Sequence, residues 1–183
     1  VSLDERIRTA RTELEKKLLI VGELTRQLAA EGVYPIIVGG TAVEVYSTGE
    51  YQTHDVDLVV AARERAVQAL EAMGFERKGR VWHHPPWDAV LEIPDVQLAG
   101  DMARLNRITI DDYQVYCIGL DDLIIDRLNA AQHRGSREDR RWAAILLRAY
   151  RDELDMDYLK ARAVQESIDS LLNQLLEEAA PDG

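Results

Sequence analysis

The stretch Asp55-Val56-Asp57-Leu58-Val59-Val60, with Pro35-Ile36-Ile37-Val38-Gly39-Gly40-Thr41 upstream of it, constrains this chain more than any other feature. Side chains of a strand alternate between its two faces, so an apolar run with carboxylates at alternate positions reads as a strand over Asp55–Val60. Asp55 and Asp57 then share one face at its start. Val33–Val38 is nearly all apolar and reads as a strand buried on both faces. Between the two strands, Gly39-Gly40-Thr41 leads into a short helix over Thr41–Ser47. Glycines let the backbone approach a ligand closely, and the free N–H groups of a helix start favour an anion such as phosphate. A phosphate cradle followed by paired carboxylates is the pattern of a metal–nucleotide site. Mg²⁺ is held by one or two carboxylates together with substrate phosphates, and Mn²⁺ suits the same oxygen ligands. The alternative is a pair of solvated aspartates at a strand edge, since the Asp-x-Asp pattern alone is common.

The remaining elements supply a frame for this unit. Apolar residues at three- and four-residue steps from Leu3 to Leu28 predict one long helix over residues 3–31, capped by Ser2 with Glu5 and ended by Gly32. Its seam fits a helix laid on the domain, or a partner-binding or dimerising surface. A helix over Ala62–Met73 ends at Gly74. Strands follow at Phe75–Lys78, Arg80–His83 and Ala89–Ile93, with Pro94 expected to stop the last. Asn106–Ile110 and Gln114–Ile118 alternate as a hairpin around Asp111-Asp112-Tyr113. From Asp121 the chain turns helical: Leu123–Gln132, a second helix from Ser136 to about Leu154, then Asp157–Ala163 and Glu166–Ala179, with a frayed tail at Pro181–Gly183. The expectation is an α/β (α+β) fold, a mixed sheet flanked by helices over residues 1–120 with an all-helical part over 121–183.

Several classes of function are disfavoured. No Gly-x-Ser-x-Gly, Walker A, His-Glu-x-x-His or paired Cys-x-x-Cys pattern occurs. The single cysteine, Cys117, lies in an apolar run and reads as a small core residue. No apolar run approaches about 18 residues and no leader-like segment is visible, so the expected setting is cytoplasmic and without a membrane partner. A net charge of −11 argues against a basic coat over the whole surface. Against that background, Arg127, Arg134, Arg137, Arg140, Arg141, Arg148 and Arg151 are opposed between residues 127 and 151 only by Glu138 and Asp139. They read either as a phosphate- or RNA-contacting surface or as a solvated helix face. His83 and His84 are adjacent on a strand and point to opposite faces, which disfavours a two-histidine zinc site. The loop Pro85-Pro86-Trp87 reads as packing or stacking. His54 is an orienting neighbour or a loop residue, and His133 an exposed helix-end residue.

Gly39-Gly40-Thr41, the short helix, and Thr53-His54-Asp55-Val56-Asp57-Leu58 together resemble the nucleotidyltransferase superfamily of the DNA polymerase β type. The wording is similar to small nucleotidyltransferase-like proteins around the AbiEii toxins, and Gly119–Ile124 and Arg137-Glu138-Asp139 extend the resemblance over roughly residues 33–154. It implies a minimal mixed sheet with a helical extension, and Mg²⁺-dependent transfer of a nucleotide from NTP to a hydroxyl. The acceptor would be RNA such as tRNA, a protein or a small molecule, with an antitoxin or a second copy as partner. Gly39, Gly40 and Thr41 would hold the β- and γ-phosphates, helped by Arg127 and Arg137, and Asp55 and Asp57 would ligate metal. A third carboxylate is implied on a later strand. Glu92 is the candidate, because a charge inside an apolar strand is costly unless paired or bound to metal. Asp88 and Asp95 are its rivals, and the other reading of Glu92 is a solvent-facing residue. Where toxin relatives carry a lysine, this chain has Asp126-Arg127. The alternative to an enzyme is a catalytically silent nucleotide- or partner-binding module of the same fold.

Overall fold

In a computed structural model the described residues are 1–178, so the predicted tail at Pro181–Gly183 and the last residue of the helix predicted over Glu166–Ala179 lie outside them. The chain divides into two compact units at Ile118/Gly119.

The first unit is built on a seven-stranded mixed sheet. Its strands are β1 (Ile36–Val38), β2 (Asp55–Val59), β3 (Glu76–Lys78), β4 (Val81–His84), β5 (Ala89–Asp95), β6 (Asn106–Ile110) and β7 (Tyr113–Cys117). Their order is β3-β4-β5-β2-β1-β7-β6, which puts the short central strands β1 and β2 inside the sheet. β2 runs antiparallel to β1 and parallel to β5. Val56, Leu58 and Leu91 are buried while Asp55, Asp57 and Glu92 stay partly open, so alternation leaves one face of β2 and β5 acidic and accessible. Cys117 is fully buried, as expected of a core residue, and burial pushes its thiol pKa upward.

The helices of this unit are α1 (Leu3–Thr9), α2 (Glu13–Leu28), α3 (Gly39–Tyr46) and α4 (Arg63–Ala72). The predicted single helix over 3–31 is therefore two helices and a terminal 3₁₀ turn, Ala29–Glu31. Ala10 leaves the helical region (ψ 134°), and Thr12 caps a new helix. The Thr12 hydroxyl accepts the Glu15 N–H (3.0 Å), while the Glu15 carboxylate accepts the Arg11 N–H (2.7 Å). Gly32 does end the run, in the left-handed region (φ 68°). The break lets α1 fold back, where Trp87 Nε1 donates to Asp4 (2.7 Å) and Arg6 pairs with Asp111 and Asp112. α2 packs on β7 and α4, burying Leu19, Ile20 and Leu24. Gly22 permits this approach, because a Cβ there would lie 2.5 Å from Tyr113 Cβ.

Other boundaries in the sheet also differ from the sequence expectation, most by a residue. β1 begins at Ile36, three residues later than predicted. β5 continues through Pro94, which was expected to stop it. The pairing shifts between Asp57↔Glu92 and Val59↔Asp95, so Pro94 sits in an irregularity, and β4 has by then ended at its pairing of Val81 with Glu92. A proline is tolerated in such a place because no ladder bond is lost. The hairpin turn is the tight pair Asp111-Asp112, with Tyr113 already paired to Ile110 and Asp111 in the left-handed region (φ 51°).

The second unit is helical among its described residues: α5 (Leu120–Arg134), α6 (Arg137–Ala149), α7 (Met156–Gln165) and α8 (Asp169–Glu178). Gly135 ends α5 in the left-handed region, so that helix runs over Leu120–Arg134 rather than the expected Leu123–Gln132, and Ser136 caps α6 by accepting the Asp139 N–H (3.2 Å). α6 ends at Ala149 rather than near Leu154, because Asp155 caps the next helix by accepting the Tyr158 N–H (3.0 Å). The expected start of the last helix at Glu166 moves to Asp169 because Ser167 takes a left-handed conformation (φ 58°).

Candidate active site

Three carboxylates converge on the open face of the sheet. Asp57 pairs with Glu92 across the parallel β2–β5 ladder, and Asp55 lies two residues before Asp57 on the same face. Each of Asp55, Asp57 and Glu92 offers a carboxylate oxygen within 4.8 Å of the others, and all three are partly buried. On an octahedral Mg²⁺ neighbouring oxygens lie about 3.0 Å apart and opposite ones about 4.2 Å, so the three carboxylates are near enough for their all-oxygen set to suit a hard divalent cation once they draw together around it. Glu92, predicted as the third carboxylate, is therefore brought to the pair. Its rivals are not. Asp88 follows the Pro85–Trp87 turn in the left-handed region, and its carbonyl accepts from Lys16 (3.4 Å). The Asp95 carboxylate accepts from the backbone N–H groups of Val96 (2.6 Å) and Gln97 (3.2 Å), which hold its pKa below the usual range. Arg80 Nε lies 3.1 Å from Glu92 Oε1 and puts a positive charge beside the trio.

The glycine turn is fitted to this face. Val38 pairs with Asp57, so the turn after β1 arrives beside that carboxylate. Gly39 has φ 60°, and a Cβ there would lie 2.4 Å from Asp57 Oδ2. Only a glycine allows both the conformation and the contact. Gly40 is almost as confined, with its notional Cβ 3.2 Å from the Tyr51 ring and 3.3 Å from Thr53. α3 starts at Gly39, two residues earlier than expected, so backbone N–H groups of Gly39, Gly40 and Thr41 lie in its first turn. The Thr41 side chain is buried and its hydroxyl donates to the Asp55 carbonyl (2.9 Å). That side chain ties the start of α3 to the start of β2.

Two positioning contacts were missed in the sequence. The Thr53 hydroxyl donates to Asp55 Oδ1 (2.8 Å) and orients the first carboxylate. Lys17 of α2 forms a buried ion pair with Glu44 of α3 (2.6 Å) and also donates to the Thr53 carbonyl. One ammonium therefore ties together α2, the helix after the glycine turn, and the loop that delivers Asp55. A glutamate inside the apolar helix Ala42-Val43-Glu44-Val45-Tyr46 was the available signal, since such a charge needs a partner.

The histidines carry no such role. His54 is exposed. His84 is buried, stacked on Trp87 with ring centres 3.7 Å apart, and packed against Phe75. The Pro85–Trp87 turn is thus a packing device.

In the helical unit, Arg127 sits between two carboxylates, donating to Asp139 (2.6 Å) and to Asp126. Arg137, Arg140, Arg141 and Arg148 lie with Ala144 and Ile145 along one face of α6, around an open depression of about 590 Å³. Arg140 also pairs with Glu178 (2.8 Å). Arg134, Arg151 and His133 are exposed.

The fold recurs in solved structures of low sequence identity. The chain is similar to an antigenic nucleotidyltransferase-like protein from Paracoccidioides brasiliensis, at 20% identity and a TM-score of 0.58, covering 92% of this chain and 94% of that one. It is also similar to the antibiotic-resistance factor ANT(2'')-Ia in solution (14% identity, TM-score 0.53, covering 88% and 97%). The crystal structure of ANT(2'')-Ia with adenylyl-2''-tobramycin gives 14% identity and a TM-score of 0.54, covering 82% and 97%. No curated protein sequence matches the chain. The family model described as "Nucleotidyltransferase of unknown function (DUF6036)" matches residues 16–179, spanning the glycine turn, all three carboxylates and the helical unit, and the chain belongs to that family.

Proposed function

We propose that this nucleotidyltransferase-family protein moves a nucleotidyl group from an NTP to a hydroxyl acceptor. The observation that supports the reading best is the convergence of Asp55, Asp57 and Glu92 beside the glycine turn. These carboxylates would hold a divalent cation, Mg²⁺ or Mn²⁺, which when bound supplies positive charge to the phosphates and the acceptor oxygen. The first-turn N–H groups of Gly39, Gly40 and Thr41 receive the β- and γ-phosphate oxygens. The acceptor oxygen bonds to the α-phosphorus as the bond from that phosphorus to the pyrophosphate oxygen breaks. Glu92 takes the acceptor's proton and pyrophosphate leaves. Catalysis is then mainly positioning and charge stabilisation. Arg137, exposed at the start of α6, would serve as a phosphate-contacting arginine. Arg127 is the other arginine of this reading, and it pairs with Asp126 and Asp139.

The arginine face of α6 favours a polyanionic acceptor, RNA such as tRNA, over the aminoglycoside named for ANT(2'')-Ia. A toxin-like role with an antitoxin partner, or action as a homodimer, belongs to this same reading. A second reading, nucleotide binding without transfer, draws on the Arg80–Glu92 pair, which engages the third carboxylate. Incubation with Mg²⁺, NTPs labelled at the α-phosphate and total RNA separates the two. Transfer predicts labelled RNA, with a loss of about 10²–10³-fold in Asp57→Asn. NTP binding with no label transferred supports the silent module. Undiminished transfer by Asp57→Asn places the active site elsewhere.

A further inference from the structure

A second concavity lies in the same unit as the carboxylates and has been given no role so far. It is a pocket of about 340 Å³ lined by Arg63, Arg77 and Arg80, with Trp82, Ile93 and Pro94 among its apolar walls and Glu92 at its border. That volume is in the range of small-ligand sites. Three guanidiniums gather around this pocket in a chain of net charge −11, with Glu92 the one carboxylate among the residues that line it. Each is also bonded within the chain. Arg63 donates to the Ile93 carbonyl, and Arg77 Nε donates to the Gly79 carbonyl (3.0 Å). Arg80 reaches Glu92 through Nε (3.1 Å) while its side chain remains 87% exposed. A guanidinium has five N–H donors in a planar fork, so these bonds leave forks able to grip a phosphate in bidentate fashion.

We infer that this pocket is an oxyanion-binding site for a phosphate ester, held by Arg77 and Arg80 with its apolar part against Trp82, Ile93 and Pro94. Arg77, Trp82 and Ile93 share the sheet face opposite that of Asp55, Asp57 and Glu92, so this site is separate from the carboxylate trio and its binding does not rest on the transfer reading. A free small phosphate ester and the phosphate of an RNA strand share the required chemistry.

Calorimetric titration in EDTA without nucleotide tests the site, using phenyl phosphate, a tetraribonucleotide lacking a terminal phosphate, and benzyl alcohol as the neutral control. Saturable one-to-one binding of phenyl phosphate is expected. Loss of one charge-assisted fork in Arg77→Ala or Arg80→Ala should weaken it about tenfold or more. Arg65→Ala removes the same charge from α4 outside the pocket and should leave binding unchanged. Tighter binding of the tetraribonucleotide with the same variant pattern identifies RNA as the source, and the reverse identifies a small ester. If neither phosphate probe saturates, if benzyl alcohol binds equally well, or if Arg77→Ala and Arg80→Ala bind as wild type while retaining its unfolding midpoint, the pocket is not an oxyanion site. Such a result leaves nucleotidyl transfer to be decided by the labelled-phosphate experiment, which does not depend on these arginines.

Discussion

Gly39 carries the sharpest residue-level constraint. Its left-handed backbone and the 2.4 Å that a Cβ would leave to Asp57 Oδ2 couple the glycine turn to the carboxylate. Gly39→Ala should therefore cost about 1–2 kcal/mol in backbone strain. By displacing Asp57 it should also lower transfer about 10²-fold, as a misplacement of about 1 Å does elsewhere. Urea unfolding and the transfer assay read the two effects separately. Lys17 is the counterpart on the structural side. Removing its charge in Lys17→Met leaves Glu44 buried and unpaired beneath the loop that carries Asp55, at a cost of about 3–5 kcal/mol. The double variant Lys17→Met/Glu44→Leu should recover most of that stability, because no lone charge remains. Urea midpoints of the single and double variants check the claim. A single variant as stable as wild type would show that the pair does not hold this corner. The carboxylates were legible in the sequence because a charge in an apolar strand stands out. Lys17 was not, because a lysine on an amphipathic helix looks the same whether it snorkels to water or meets a buried glutamate.

The strand and helix types were largely legible; their ends were not. Period-two alternation identified β2, β5 and the hairpin of β6 and β7, and period-3.6 patterning found the helices. Junctions went wrong where a local cap overrode a continuous apolar stripe, as at Thr12–Glu15, or where a register shift absorbed a proline, as at Pro94. The end of β4 offers a pH test of element packing. Burial holds the His84 imidazole below its ordinary pKa of 6.5. As pH falls below 6.5, the unfolded chain takes up a proton that the folded chain resists, so the unfolded state binds more protons and stability declines with falling pH. His84→Phe keeps the stacking on Trp87 and should flatten that decline. Glu23 acts in a lower window. Its hydrogen bonds from Arg26 hold its carboxyl below 4.5, so its contribution is present above that value and lost as pH falls through its lowered folded pKa. Unfolding midpoints measured on both sides of pH 6.5 isolate the histidine. An unchanged slope in His84→Phe would contradict the assignment.

At the scale of the whole molecule, charge is divided unevenly. The chain is acidic overall, yet basic groups gather on the α6 face and around the pocket beside Glu92. The arginine density between residues 127 and 151 was visible in the sequence. The second basic cluster was not, because Arg63, Arg77 and Arg80 come together only when α4, β3 and the β3–β4 turn fold onto one another. The mixed sheet and the C-terminal helices could be read from the order of patterned segments. No helix among the described residues is long and apolar enough to cross a membrane. The central claim is that β2 and β5 bring Asp55, Asp57 and Glu92 together to hold a divalent cation. Titration with Mn²⁺, followed by the loss of its free-ion paramagnetic resonance signal, measures that directly. The wild type should bind Mn²⁺ saturably and lose it to competing Mg²⁺. Asp57→Asn and Glu92→Gln should each weaken binding by about 10-fold or more, since even a group behind a ligand is worth that much. Equal Mn²⁺ affinity in wild type, Asp57→Asn and Glu92→Gln would contradict the account.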